Sequence, residues 1–358
     1  MKQFIVIICF PFQVFCQNTI GLPDIINYSK QSYKAGLQNW DIKQDKNGIV
    51  YFANNEGLLS FDGKYWNNYP LPNKTIVRSI EIANGNRIYT GGQDEIGYFE
   101  PGNNGRLLYH SLIEQIAVKD RSFGDVWDIV SFKGNTYFMS PHKIFKFTER
   151  DVVVYKAPSE WAFLGTCNGN LYAQDYQSGL LKFENEYWAP VFSENKLQLN
   201  DQVTAILSIQ KDSAILTTLK NGLYVLSNSG LAPLASANNQ LFKNERIYAA
   251  THVNKDWIAL ATNNNGIYIT DRKGNIIQQF ARTEGLQNNN VLSIFLDNQS
   301  NLWLGLDNGI DLITYNNAIK QIKPLAQDGS GYTAIVYENS LYLGTSNGVF
   351  HVPLQPVQ

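Results

Sequence analysis

The strongest constraint on this chain is a glycine that comes round again at a nearly constant interval. Between Val291 and Ile313 the sequence VLSIFLDNQSNLWLGLDNGIDLI sets three short apolar runs against two polar turns, the second ending in Asn308-Gly309. Asn-Gly is a strong hairpin signal because both residues accept positive φ. Anchored on that glycine, the pattern returns as TTLKNGLYVL at Gly222, ATNNNGIYIT at Gly266 and GTSNGVFHV at Gly348. It stands earlier as QDYQSGLLKF at Gly179 and YFANNEGLLSF at Gly57. From Gly179 onward the successive spacings are 43, 44, 43 and 39 residues, and two degenerate copies, starting at Val77 and Val126, fill the interval after Gly57. Eight units result. One hairpin ladder cannot bury both of its faces, so the units must stack on one another. A period of roughly 40 to 45 residues with four short strands predicts an all-β fold, a β-propeller of four-stranded antiparallel blades. Six residues before the anchor stand Tyr51, Leu216, Leu260, Trp303 and Tyr342, all large and apolar, as the interior of a second strand requires.

The stretch GLQNNNVLSIFLDNQSNLWLGLDNGIDLI from Gly285 resembles the two-component regulator propeller repeat, with Asp297, Leu302, Trp303, Gly305 and Gly309 in register. Asn301 stands where that repeat often has Gly, and Leu306 where it often has Thr; Gly344-Thr345 restores the pair in the last unit. The resemblance implies a periplasmic sensor region of the kind found in hybrid two-component sensors and triple-tyrosine regulators. Such a region recognises extracellular ligands, often glycan fragments, and relays the event to a membrane-bound kinase or a transcription-regulator output domain.

The amino terminus supports export. Lys2 precedes an apolar run from Phe4 to Phe15 broken by Pro11 and Gln13, which reads as a signal peptide over residues 1–16 and is too short for a stable membrane span. A lipoprotein reading of Cys16 is the lesser alternative, since Gln13 and Phe15 fit a lipobox poorly. The propeller then occupies residues 17–358, in a periplasmic or extracellular location. Of three cysteines, Cys9 and Cys16 lie in the leader, so Cys167 is left alone and neither a disulfide nor a cysteine zinc cluster is expected. A formal net charge of −2 argues against nucleic acid as a partner. After the leader no apolar run is long enough to span a membrane.

Two features bear on how the ring closes. Residues 17–37 hold no complete unit, but Gly36-Leu37-Gln38 matches Gly285-Leu286-Gln287, which a fourth strand precedes. Residues 25–34 are therefore expected to be a stray fourth strand that completes the final unit, closing eight blades; seven blades plus a stray eighth unit is the competing count. The connection 109–124 has helical spacing at Leu112, Ile113, Ile116 and Ala117, whereas 234–248 reads as an Asn-rich loop.

The search for chemistry turns up no catalytic constellation. The histidines, His110, His142, His252 and His351, are scattered, and no nucleophile elbow, phosphate loop or dinucleotide fingerprint occurs, so no catalytic residue, metal or cofactor is expected. Asp45 and Asp297 sit in the first turn of their units, where such a residue caps its own turn. Trp66 and Trp188 open outer strands and should cover blade edges. Propellers bind over the channel, on the face that carries the loop between second and third strands and the loop entering each blade. The first loop set offers Asp94, Asp175, Tyr176, Lys220, Asn264 and Asp307; the second offers Arg121, Asp125, Trp161, Arg282 and Glu284. Trp161 and Tyr176 among carboxylates and amides would suit the stacking of sugar rings. The expected function is non-enzymatic sensing of a small extracellular ligand, possibly an oligosaccharide, by a chain without its own output domain. The alternative is a propeller enzyme, a lyase or lactonase working over the same channel.

Overall fold

The computed structural model describes residues 21–83, 87–102, 105–192, 201–322 and 330–354. The proposed signal peptide and Cys16 lie outside them. Every one of the eight units is a sheet: seven are four-stranded and the last is three-stranded. Each of the first six blades is a simple antiparallel meander, the first running Asn39–Gln44, Val50–Asn54, Gly57–Phe61 and Trp66–Tyr69. The inner strands of the seven blades are Asn39–Gln44, Val77–Ile82, Asp128–Phe132, Trp161–Cys167, Val203–Gln210, Ile247–His252 and Val291–Leu296. Each packs beside the inner strands of two neighbours, and the circuit closes where Val291–Leu296 meets Asn39–Gln44.

The recurrent residues have separate structural tasks. All six anchor glycines have positive φ, between 72° and 133°, at the turn into the third strand. Asp297 accepts the backbone N–H groups of Gln299 and Asn301 on Oδ1 and the Trp303 indole N–H on Oδ2 at 3.1 Å. Asp45 does the same for Asn47, Ile49 and the Tyr51 hydroxyl, so each carboxylate ties its turn to the large residue six positions on. Tyr51, Leu216, Leu260 and Trp303 are buried between blades as expected. Gly305 has a different duty: a Cβ there would overlap the Asn39 carbonyl oxygen and the Ser293 hydroxyl, which donates to that carbonyl at 3.1 Å. Ser79 and Gly91 repeat the arrangement against Val126. A small pair on one blade thus lets the next inner strand come close.

The ring closes differently from the expectation that the amino-terminal strand completes the final unit. Ile25–Tyr28 pairs antiparallel with Ile310–Ile313, so it completes the seventh blade. After Ile313 the chain turns through Thr314 and Tyr315 and supplies no fourth strand of its own to that sheet. Burial also favours this edge. Tyr28 stacks on Trp303 at 5.9 Å and meets Phe61 and Trp66 of the first blade, so the closing strand fills the joint between the last and first blades. Asn27 donates to Oδ1 of Asp311 at 2.7 Å, and Gln287 donates to both of its oxygens. Burial pushes the Asp311 carboxyl up, while the Asn27 and Gln287 donors pull against it. The eighth unit, Gly331–Tyr337, Ser340–Thr345 and Gly348–Pro353, is not needed for closure, and Tyr332 and Val349 in it are 74% and 76% exposed.

Three smaller expectations change. The strand expected over residues 25–34 ends at Tyr28 and gives way to a single helical turn, Lys30–Tyr33. The connection 109–124 holds two 3-10 turns, Ile113–Gln115 and Val118–Asp120, which bury Ile116 and Phe123 against the third blade. The helix lies in the Asn-rich connection instead, at Asn239–Glu245, where Phe242 is buried against Tyr268. Trp66 and Trp188 cover their blades as expected, against Phe61 at 4.4 Å and Phe183 at 4.9 Å.

Deleting residues 21–35 should lower the melting temperature by on the order of 10 °C or more, because it bares the Ile310–Ile313 edge and empties the joint around Trp303. A melting curve unchanged by the deletion would refute closure by this strand. Gly305→Ala should cost about 1–3 kcal/mol in denaturant titration through overpacking. Gly331→Ala, with open space around its Cβ position, should stay within about 0.5 kcal/mol.

Candidate functional site

The inner strands share an irregularity that decides what faces the channel. In six blades the pairing skips one residue near the start of the inner strand, between Asn39 and Asp41, Val77 and Ser79, Trp161 and Phe163, Val203 and Ala205, Ile247 and Ala249, and Val291 and Ser293. In the third blade Trp127 donates its N–H to the Met139 carbonyl while Asp128 pairs with the same residue. A β-bulge re-aims the side chain of its extra residue. The residue before each bulge is buried, and the bulged residues Trp40, Arg78, Trp127, Ala162, Thr204, Tyr248 and Leu292 all line one cavity of about 380 Å³ in the channel.

One side of this mouth is aromatic and cationic. The Arg78 guanidinium carbon lies 4.1 Å from the Trp40 ring centre and 4.7 Å from that of Trp127, a geometry in which each indole face attracts the cation. Arg78 Nε also donates to Asp125 Oδ2 at 3.1 Å. The Trp40 indole N–H donates to Asn55, which donates to Gln38, which donates to Asp307 at 2.6 Å. The channel wall is thereby tied to a loop between second and third strands.

Below the mouth, three carboxylates reach from one blade to the next. Asp41 accepts the Ile80 N–H at 3.0 Å, Glu81 accepts the Ser131 N–H at 3.2 Å, and Asp128 accepts the Leu164 N–H at 2.9 Å. Lys43 pairs with Asp41 at 3.3 Å. Burial opposes the Lys43 ammonium, but Asp41, Glu81 and Asp128 around it prevail and hold its pKa above the ordinary value. Burial raises Glu81, against the pull of Lys43. Asp128, walled in on the channel side, is pushed up to about 7, chiefly by burial and further by Asp41, with the Leu164 N–H and Lys43 opposing. Burial and Asp128 also raise the Tyr248 hydroxyl, against the influence of Arg78.

The residues singled out from sequence lie on the loops of this same end, since the inner strands begin beside the ends of the second strands, as in Asn39 opposite Asn54. None lines the cavity itself. Asp94 accepts the Phe123 and Gly124 N–H groups at 2.7 Å, and Arg121 donates to the Ile116 and Glu114 carbonyls. Asp175 is fully buried and gathers donors from Ser159, Glu160, Gln177 and Ser178; burial works against its charge, yet these donors hold its pKa below the ordinary value. Glu284 accepts the Ala281 N–H and the Thr283 hydroxyl, and Asn264 donates to the Asn244 carbonyl. Arg282 and Lys220 are exposed, and Tyr176 is half-buried near Glu160 and Asp201. Trp161 is 3% exposed against Trp188 and occupies the buried place that Val77, Val203 and Val291 hold in their blades, so its ring is not open to a ligand. Asp307 joins the channel through Gln38 and Asn55.

The channel residues escaped sequence reading because a bulge is invisible to strict alternation. A signal did exist in five of the blades, namely the residue after the β-branched start of the inner run, as in Arg78 after Val77, Trp127 after Val126 and Tyr248 after Ile247.

Residues 285–308 match the family model described as Two component regulator propeller. No curated protein matches the sequence. Among solved structures, the extracellular domain of BT4673 from B. thetaiotaomicron, described as a hybrid two component system, superposes with a TM-score of 0.67 at 20% identity. That match covers 92% of this chain but 46% of the other, so the chain spans less than half of that relative. Virginiamycin B lyase from Staphylococcus aureus, in an inactive form with quinupristin, gives 0.61 at 14% identity over 81% of this chain and 98% of that one. The WD40 propeller of Doa1 gives 0.62 at 11%, covering 83% and 97%. At these identities the likenesses establish the fold.

A carboxyl whose folded pKa is raised binds its proton more tightly when folded, so its contribution to stability falls as pH rises from the unfolded value near 4 through about 7. Asp128→Asn keeps an acceptor for the Leu164 N–H and removes the charge. It should raise the melting temperature at pH 8 by clearly more than at pH 5. An equal shift at both would show that Asp128 is not held near neutrality.

Proposed function

From the premise that this chain carries the two component regulator propeller repeat, we propose that the ring is the ligand-recognition part of a bacterial signalling system outside the cytoplasm. In this reading it holds a small ligand, an oligosaccharide, at the channel mouth without turning it over, and the event passes to a kinase or transcription-regulator output. The observation that carries the proposal is the set of bulged residues. Seven independent blades each turn one side chain toward one cavity, among them Trp40, Arg78 and Trp127 on three adjacent blades and Tyr248 on the sixth. Aromatic faces with fixed polar groups beside them suit the apolar face and hydroxyls of a sugar ring. The likeness to an extracellular domain supports the location.

The competing reading, a lyase working over the same channel, draws on Asp128, whose pKa near 7 would suit a base. The pKa values of Lys43 and Tyr248 are raised as well, which keeps both protonated at neutral pH and favours recognition over proton abstraction by either. Trp127 is 37% exposed, so Trp127→Ala should fold normally. It should weaken an oligosaccharide identified by glycan array about fivefold, roughly 1 kcal/mol, in calorimetric titration. Tyr176→Ala, on the loop rim, tests whether the loops also contribute a stacking surface, with a loss of the same order expected if they do. Depolymerisation of the bound saccharide, or affinity indifferent to Trp127, would overturn the proposal.

A further inference from the structure

The charges of the channel are distributed unevenly around the ring. Asp41, Lys43, Arg78, Glu81 and Asp128 line the cavity, and Asp125 pairs with Arg78 at its edge. All six belong to the first three blades or to the segment entering the third. The fourth to seventh blades contribute no charged side chain, only apolar residues such as Ala162 and Leu292 and neutral polar ones such as Gln202, Thr204, Tyr248 and Ser293. The two cations are already engaged: Arg78 with Asp125 and two indoles, Lys43 with Asp41 at 3.3 Å. Glu81 and Asp128 lie around the same Lys43 ammonium but beyond ion-pair distance of any cation among the described residues, and each accepts a backbone N–H from the next blade. A walled cavity with more carboxyl groups than cations on one side favours a positive ligand, which would also draw the raised Asp128 and Glu81 carboxyls into their charged forms.

We infer that this channel selects a ligand bearing a protonated amine, and, resting on the saccharide reading above, that the ligand is an amino sugar. Its ring lies against Trp40 and Trp127, its ammonium group reaches Asp128 and Glu81, and its uncharged edge faces the blades that bring no charge to the cavity. Each carboxylate keeps its backbone donor and offers its other oxygen to the ammonium group. Between an ammonium group and a carboxylate both partners are charged and three donors are available, whereas the N-acetyl form of the same sugar offers a single neutral amide N–H and no ion pair.

The test is calorimetric titration of the full chain with a glucosamine trisaccharide and with its N-acetylated counterpart near pH 7. The amine form should bind on the order of tenfold more tightly, a difference of about 1.4 kcal/mol. The double variant Asp128→Asn, Glu81→Gln should abolish that preference while leaving the weaker N-acetylated binding within about twofold. Trp127→Ala should weaken both ligands alike. Equal or tighter binding of the acetylated sugar, still sensitive to Trp127, would overturn the amine inference and leave the saccharide reading standing. Failure of the wild-type chain to bind either trisaccharide would overturn the amino-sugar inference, and the glycan array then decides the saccharide reading separately. Melting curves of the double variant confirm that it folds.

Discussion

The ring depends on the pairing of Ile25–Tyr28 with Ile310–Ile313. Six blades complete themselves from consecutive residues, but the seventh has three strands of its own and would present a bare edge. Unpaired strand edges invite association with other chains, and full closure is the arrangement that removes them. The strand that closes the seventh blade comes from the opposite end of the described chain. It brings Tyr28 into the aromatic joint with Phe61, Trp66 and Trp303, and Asn27 onto the buried carboxylate of Asp311. Backbone pairing, apolar burial and a charge-assisted hydrogen bond therefore act together at one seam.

Between blades the problem is one of approach. A second strand carrying side chains of ordinary size would hold the next inner strand away, and the Gly305–Ser293 and Gly91–Ser79 pairs remove that obstacle. Where the inner strands then run side by side, their backbone donors need partners. Ser hydroxyls satisfy carbonyls, and Asp41, Glu81 and Asp128 satisfy N–H groups across the gap. The carboxylates do this where burial is costly, as the raised pKa values of Glu81 and Asp128 show. A neutral Asn or Gln could accept the same bond without that penalty. Groups perturbed in this manner by burial and a nearby charge, in a cavity, are candidates for a functional site.

The bulges link the scaffold to the site. Their regular recurrence places one side chain per blade in the cavity, so seven positions in the sequence can vary without disturbing the buried residue that precedes each of them. In this ring Trp40, Arg78 and Trp127 stand on three adjacent blades, Ala162 and Thr204 on the next two, and Tyr248 on the sixth. The result is a channel whose charges are gathered on the first three blades.

The sequence by itself determined the repeat and most of what is local to it. The anchor glycines, the turn carboxylates Asp45 and Asp297, and the buried second-strand residues follow from φ restrictions and two-residue alternation, which any unit displays alone. The family of the repeat was also legible there, in Asp297, Trp303, Gly305 and Gly309. The tertiary structure decided where the ring closes, because the pairing of Tyr28 with Ile310 rewards contacts distant in the chain, and both the seventh and eighth units end as plausible hosts for a fourth strand. It also decided which residues face the channel, because a single skipped residue reverses the alternation from which facing is inferred. Trp161 and Trp127 illustrate the point: Trp161 stands just before the bulge of its blade and is buried, whereas Trp127 is the bulged residue of its own and lines the cavity.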